Sequence, residues 1–178
     1  MLGGSGEILK TGLGTDTITG FNGTTSANSG TIIGSATQTN TIDGQLNAAG
    51  NGSFVIDLSQ ELLTVNISTP GVGPFTFRVE NFDNVVGTDN NDSIIGNAND
   101  NVFGGSAGND TINGDDGDDT VDYSGLGGAV TLGGSGDIAK GDVDAAGIGS
   151  LGNDAIANIQ TIIGSATQTN TIDGQLNA

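Results

Sequence analysis

GSAGNDTIN (105–113) and GDDGDDTVD (114–122) are consecutive nonapeptides built on one plan. Each has a Gly-rich turn of six residues ending in Asp, then three residues with an apolar one in the middle. The frame extends upstream through GNANDNVFG (96–104), GTDNNDSII (87–95) and RVENFDNVV (78–86). Position eight is Val85, Ile94, Phe103, Ile112 and Val121, and position six is Asp83, Asp92, Asn101, Asp110 and Asp119. Position one is Gly87, Gly96, Gly105 and Gly114 in four of the five rows. A tight turn that aims its carbonyls inward needs Gly where φ is positive. The three residues after it form a very short strand, and alternation sends its single apolar side chain inward. Two nonapeptides make a coil of eighteen residues, and stacked coils pair their strands about 4.8 Å apart. Turns eighteen residues apart then lie one above another. Asp92 pairs with Asp110 on one edge, and Asp83, Asn101 and Asp119 form a column on the other.

The composition of the whole chain narrows the chemistry. Its 178 residues include 33 Gly, 21 Asp plus Glu and only 3 Lys plus Arg, for a net charge of −18. With Lys10, Arg78 and Lys140 as the only cations, no basic surface is expected to neutralise phosphates of nucleic acid or of an anionic membrane. No run of about 18 apolar residues offers a spanning helix, so membrane insertion is not expected. The absence of His and Cys removes Ser-His-Asp and Cys-His catalysis, imidazole and thiolate metal sites, and disulfides. Carboxylates, amides, hydroxyls and backbone carbonyls remain, and these are ligands for hard cations, above all calcium. Nine acids lie between Asp89 and Asp122 with no cation among them. Two carboxylates about 4 Å apart repel by roughly 4 kcal/mol at an effective dielectric near 20. Several such pairs would offset the ~5–15 kcal/mol that holds a domain together. A divalent cation between them reverses the sign. A disordered acidic linker would have no reason to keep an apolar residue at every ninth position.

Residues 78–124, ending VDYS, resemble the RTX or hemolysin-type calcium-binding repeats of large secreted bacterial proteins, whose motif is G-G-x-G-x-D-x-U-x. NFDNVVGTDNNDSIIGN (81–97) is similar to the segment that introduces such repeats in bacterial surface proteins. The resemblance implies an all-β fold, a parallel β-roll or β-solenoid, with Ca2+ held between successive turns. It implies side-chain ligands at position six (Asp83, Asp92, Asn101, Asp110, Asp119). Turn ligands are expected at Asn90, Asn99, Gly105, Gly108, Gly114, Asp116 and Gly117. The motif continues more weakly in GLGTDTITG (12–20) and in GSLGNDAIA (149–157), where Gly152 and Asp154 sit at positions four and six.

A longer repeat overlies the short one. TIIGSATQTNTIDGQLNA occurs at 31–48 and again at 161–178, an offset of 130 that also aligns LGGSGEILK (2–10) with LGGSGDIAK (132–140). The expected organisation is a partial copy of a 130-residue unit over 1–50, short strands or a hairpin over 51–82, the nonapeptide roll over 83–124, and the start of the next copy over 125–178. Such a pattern implies a tandem array. The repeated NIQTIIGSATQTNTIDG (158–174) lacks the Asp and much of the Gly, so a metal-free rung is expected there. SFVIDLS (53–59), LLTVNIS (62–68) and FTFRVEN (75–81) read as strands, the last two with clean alternation, and TPGVGP (69–74) as a turn. Phe54, Phe75, Phe77 and Phe82 are expected in the core. The Gly- and Ala-rich 127–147 reads as a looser rung or loop.

The expected function is a non-catalytic structural repeat of an extracellular or cell-surface bacterial protein, such as an adhesin, surface layer or filament. It would order on binding calcium and associate with other copies end to end or in arrays. An ice-binding solenoid, or the RTX tail of a secreted enzyme whose catalytic domain lies elsewhere, are the alternatives. Nothing in the chain itself supplies catalytic residues, so an enzyme is not expected.

Overall fold

The computed structural model describes residues 7–10, 17–18, 29–45, 52–68, 74–133, 137–140 and 151–172. Much of GLGTDTITG, the turn at 69–73 and residues 141–150 lie outside the described residues. Within those described, the secondary structure is entirely strand. The chain begins with β1 (Glu7–Lys10), β2 (Thr17–Ile18), β3 (Ser29–Ile33) and β4 (Thr41–Asp43). Three longer strands follow: β5 (Gly52–Asp57), β6 (Leu62–Ile67) and β7 (Phe75–Glu80). Next come β8 (Asn84–Val86), β9 (Ser93–Ile95), β10 (Val102–Gly104), β11 (Thr111–Asn113) and β12 (Thr120–Asp122). The last five are β13 (Val130–Leu132), β14 (Asp137–Lys140), β15 (Gly152–Ala157), β16 (Thr161–Ile163) and β17 (Thr171–Ile172).

Two sheets collect these strands. One has eleven, in the order β1-β3-β7-β6-β5-β9-β11-β15-β14-β13-β17, and the other six, in the order β16-β12-β10-β8-β4-β2. From β8 to β12 each strand lies in the opposite sheet from the one before. Strands two apart pair in parallel, with Phe103 opposite Val85 and Val121, and Ile112 opposite Ile94. That register is the eighteen-residue step expected from the nonapeptides. The middle residue of each of these strands (Val85, Ile94, Phe103, Ile112, Val121) is buried, so the apolar beat forms columns in one core. Turn packs on turn as closely. Gly108 (φ +106°) lies against the Asn90 carbonyl, and Gly117 (φ +115°) against the Asn99 carbonyl, with no room for a Cβ at either.

The 52–80 segment forms an antiparallel meander inserted in the larger sheet. Val65 faces Phe54 and Phe75, and Leu63 faces Ile56 and Phe77; all six are buried, as alternation requires. A second meander, β13-β14-β15, repeats the topology. In both, the first strand pairs in parallel with the first strand of the same sheet after the meander (β5 with β9, β13 with β17). The third strand of each pairs with the last strand of the same sheet before the meander (β7 with β3, β15 with β11). Each meander ends on a left-handed asparagine, Asn81 (φ 60°) and Asn158 (φ 53°), a residue type that tolerates this conformation. Residues 127–133 and 137–140 are thus not a loop but contribute two of the strands, and the looser rung expected there is an antiparallel pair.

Candidate metal centre

Among the described residues, the crossings from β8 to β12 carry turns, and turns stack in two columns. The first contains Asp92, Asp110 and Asp154, all buried. Asp110 Oδ1 accepts the backbone N–H of Asp92 (2.9 Å), and Asp154 Oδ1 accepts that of Asp110 (3.0 Å). Asp92 Oδ1 accepts from Phe54 N one level further along (2.6 Å). The second carboxylate oxygens have donors of their own. Asp92 Oδ2 takes Thr88 N (2.7 Å) and the Thr88 hydroxyl (3.2 Å), Asp110 Oδ2 takes the Ser106 hydroxyl (3.3 Å), and Asp154 Oδ2 takes the Tyr123 hydroxyl (2.7 Å). Tyr123 stands where the preceding rows carry position-one Gly. Its buried ring lies against Gly105, which leaves no space for a Cβ there.

The second column runs Asn40, Asp83, Asn101, Asp119 and Gln160. Asp119 Oδ1 accepts from Asn101 N (2.8 Å), and Gln160 Oε1 accepts from Asp119 N (2.6 Å). The Asn101 amide is used at both ends: Oδ1 accepts from Asn97 N (2.9 Å) and Nδ2 donates to the Asp83 carbonyl (2.7 Å). Asp119 is different. The residue is 0% exposed and its Oδ2 has no hydrogen-bond partner. In the turns at 87–92 and 96–101 the second residue's N–H donates to the sixth side chain. In 114–119 that residue, Asp115, is left-handed (φ 72°) and its N–H donates to Asn113 Oδ1 instead (3.3 Å). Asp119 Oδ2 and the Asn158 carbonyl oxygen converge on the face of Gly114. Burial pushes the Asp119 carboxyl above the usual carboxylate range; the bond from Asn101 N opposes this, and the charges of Asp100, Asp118 and Asp115 add to it.

The sequence-derived candidates thus fall where the eighteen-residue step put them. Asp92 and Asp110 share one column, and Asp83, Asn101 and Asp119 share the other. Gly105, Gly108, Gly114 and Gly117 provide close approach between turns, with the Asn90 and Asn99 carbonyls packed on two of them. Asp116 is exposed on the outside of its turn. Asp83 is half-buried, and its carboxylate accepts from Asn40 N (3.4 Å) and Asn99 Nδ2 (3.3 Å). Thr88, Ser106, Tyr123 and Gln160 escaped the sequence reading. Thr88 and Ser106 had a signal, a hydroxyl at position two of an Asp-ending turn; Tyr123 and Gln160 reach their partners across 31 and 41 residues. The turns at 34–40 and 164–170 close partly on themselves, Asn40 Nδ2 donating to the Ser35 carbonyl (2.8 Å) and Asn170 Nδ2 to that of Ser165 (2.9 Å), and partly on distant backbone, Asn40 Nδ2 donating also to the Asn81 carbonyl (2.6 Å) and Asn170 Oδ1 accepting from Val130 N (3.2 Å).

Among the described residues no three of His, Cys, Asp and Glu form a group able to hold a metal ion. The oxygens gathered around the 114–119 turn are carboxylate and backbone ones, the kind of donor that hard cations take. The orphaned Asp119 Oδ2 fits such a cation, because a buried carboxylate oxygen without a donor is costly unless a cation faces it. No family model matches the chain, and no curated protein matches it.

Burial raises the Tyr123 phenol far above its ordinary value, with the Asp154 and Asp110 charges adding to the effect. A phenol raised by folding stabilises the fold fully below its unfolded pKa of about 10, and that contribution is lost as pH rises further. Spectrophotometric titration is expected to show the phenolate appearing only together with loss of strand circular dichroism. Ionisation near pH 10 in a still-folded chain would show that Tyr123 is accessible.

Proposed function

We propose that this chain is a non-catalytic, calcium-binding structural repeat, folded as a parallel β-roll of the RTX type and working outside the cell or at its surface. The single observation that carries the proposal is the buried, unpartnered Asp119 Oδ2 at the end of a turn that holds three further acids, Asp115, Asp116 and Asp118. The alternation of β8 to β12 between sheets at eighteen-residue spacing supports the roll. Asp119 and the oxygens around the 114–119 turn, including the Asn158 carbonyl, would hold the ion. When bound, Ca2+ supplies positive charge to a turn column that has none of its own. Calcium binds the folded turns and scarcely the open chain, so it adds stability by mass action, about 2.7 kcal/mol at a hundredfold excess over Kd. The chain would then order where calcium is abundant. Among the described strands, β1 and β17 end one sheet and β2 and β16 the other, and such edges favour association of copies end to end.

The test is a calcium titration of metal-free protein followed by far-ultraviolet circular dichroism, calorimetry and light scattering. Chelation is expected to remove strand signal or lower the unfolding midpoint, and calcium to restore it while scattering rises. Unchanged spectra and midpoint in excess chelator, with no heat of calcium binding, would overturn the proposal.

A further inference from the structure

We infer that the two turn columns differ in what neutralises their aspartates. The Asp92–Asp110–Asp154 column is held by hydroxyl donors and keeps its structure without a cation, and calcium dependence is confined to the column of Asp119. The inference rests on the calcium reading above and asks where in the molecule it applies. Each carboxylate of the first column meets a hydroxyl: Thr88 on both oxygens of Asp92, Ser106 on Asp110 Oδ2, Tyr123 on Asp154 Oδ2. Bonds from O–H or N–H to a carboxylate are charge-assisted and favour the ionised form even when it is buried. Tyr123 is the most specialised of the three. Its ring fills the space beneath Gly105, and its hydroxyl reaches the carboxylate of the adjoining coil, so it acts as a positioning residue where a cation would otherwise be required. The second column has no such donor at Asp119. Position two of its turn is Asp115, an acid where Thr88 and Ser106 stand in the other column.

The experiment is residue-resolved amide exchange on the full chain, with and without excess chelator, read at two pairs of amides. Asp92 N and Asp110 N report the first column, and Asn101 N and Asp119 N the second. Tyr123 is the only tyrosine in a chain without tryptophan, so its near-ultraviolet circular dichroism reports the first column independently. Chelation is expected to speed exchange at Asn101 and Asp119 about tenfold or more, while Asp92, Asp110 and the Tyr123 signal change by less than about twofold. In Tyr123→Phe, which keeps the ring, exchange at Asp110 is expected to become chelator-sensitive, and calcium should suppress it again. Ser106→Ala, which takes the hydroxyl from Asp110 Oδ2, should do the same at Asp92 N, the amide that the Asp110 carboxylate accepts, if the phenylalanine variant fails to fold. If both columns respond alike to chelation in the parent chain, the division is overturned while the calcium reading stands. The division also falls if neither variant gains chelator sensitivity. No calcium-linked change in either column, with no calcium taken up, overturns the calcium reading itself and this inference with it.

Discussion

Phe103→Ala is expected to destabilise the calcium-loaded chain by about 3–5 kcal/mol, the usual range for truncating a fully buried phenylalanine. Phe103 is completely buried in β10, between Val85 of β8 and Val121 of β12 in the six-stranded sheet. The nonapeptide 96–104 contributes Phe103 alone to the core, so no neighbour in the same strand can move in to fill the cavity. The outer residues of the strand, Val102 and Gly104, point elsewhere: Val102 is exposed, and Gly104 has no side chain. Against a typical total of about 5–15 kcal/mol, such a loss leaves much of the protein near its unfolding transition. Urea denaturation in saturating calcium measures it. A loss below about 1 kcal/mol would mean that the column around Phe103 is not packed as described.

Asp119→Asn is expected to act in opposite directions with and without calcium. In chelator the variant should be more stable than the parent by about 1–3 kcal/mol, because a buried oxygen without a donor is replaced by an uncharged amide. Asparagine already occupies the equivalent place at Asn101, where its amide both accepts and donates. In calcium most of the stabilisation by the ion should vanish, since the anionic ligand is gone. The pH dependence provides a second check. Folding raises the Asp119 carboxyl, so its protonation favours the fold. That contribution is complete below the unfolded value of about 3.9 and is lost as pH rises through the raised one. The metal-free parent should therefore gain stability on acidification toward pH 4 from this group, and the variant should lack that gain. Equal unfolding midpoints for parent and variant in chelator, at neutral pH, would remove the case for an unsatisfied carboxylate.

The nonapeptide frame revealed a good deal of this arrangement, because its determinants are local. Short strands with one apolar residue, separated by turns of fixed length, have few ways to bury Val85, Ile94, Phe103, Ile112 and Val121 together. The eighteen-residue step between Asp92 and Asp110, and between Asn101 and Asp119, follows from that constraint. The alternation in 62–80 likewise marked which residues of β6 and β7 face inward. Contacts closed by distant segments were hidden. Asp154 joins Asp110 across 44 residues, and Gln160 meets Asp119 across 41, because the second meander intervenes and returns the chain to the next level. Nor did motif position distinguish Asp119 from Asp110. Both end a Gly-rich turn, and they differ because Ser106 offers a hydroxyl whereas the turn bearing Asp115 leaves one oxygen unmet.

The duplicated TIIGSATQTNTID separates the two kinds of information. Both copies build the same turn, with Asn40 bonded to the Ser35 carbonyl and Asn170 to that of Ser165, since these partners lie only five residues apart. The sheets they enter are exchanged. Residues 31–33 lie in the eleven-stranded sheet and 41–43 in the six-stranded one, whereas 161–163 lie in the six-stranded sheet and 171–172 in the eleven-stranded one. Identical residues therefore determined the turn and the apolar beat. Tertiary structure decided the sheet, because a strand joins whichever edge the preceding crossings leave open to it, and that depends on the strands before it and not on its own side chains.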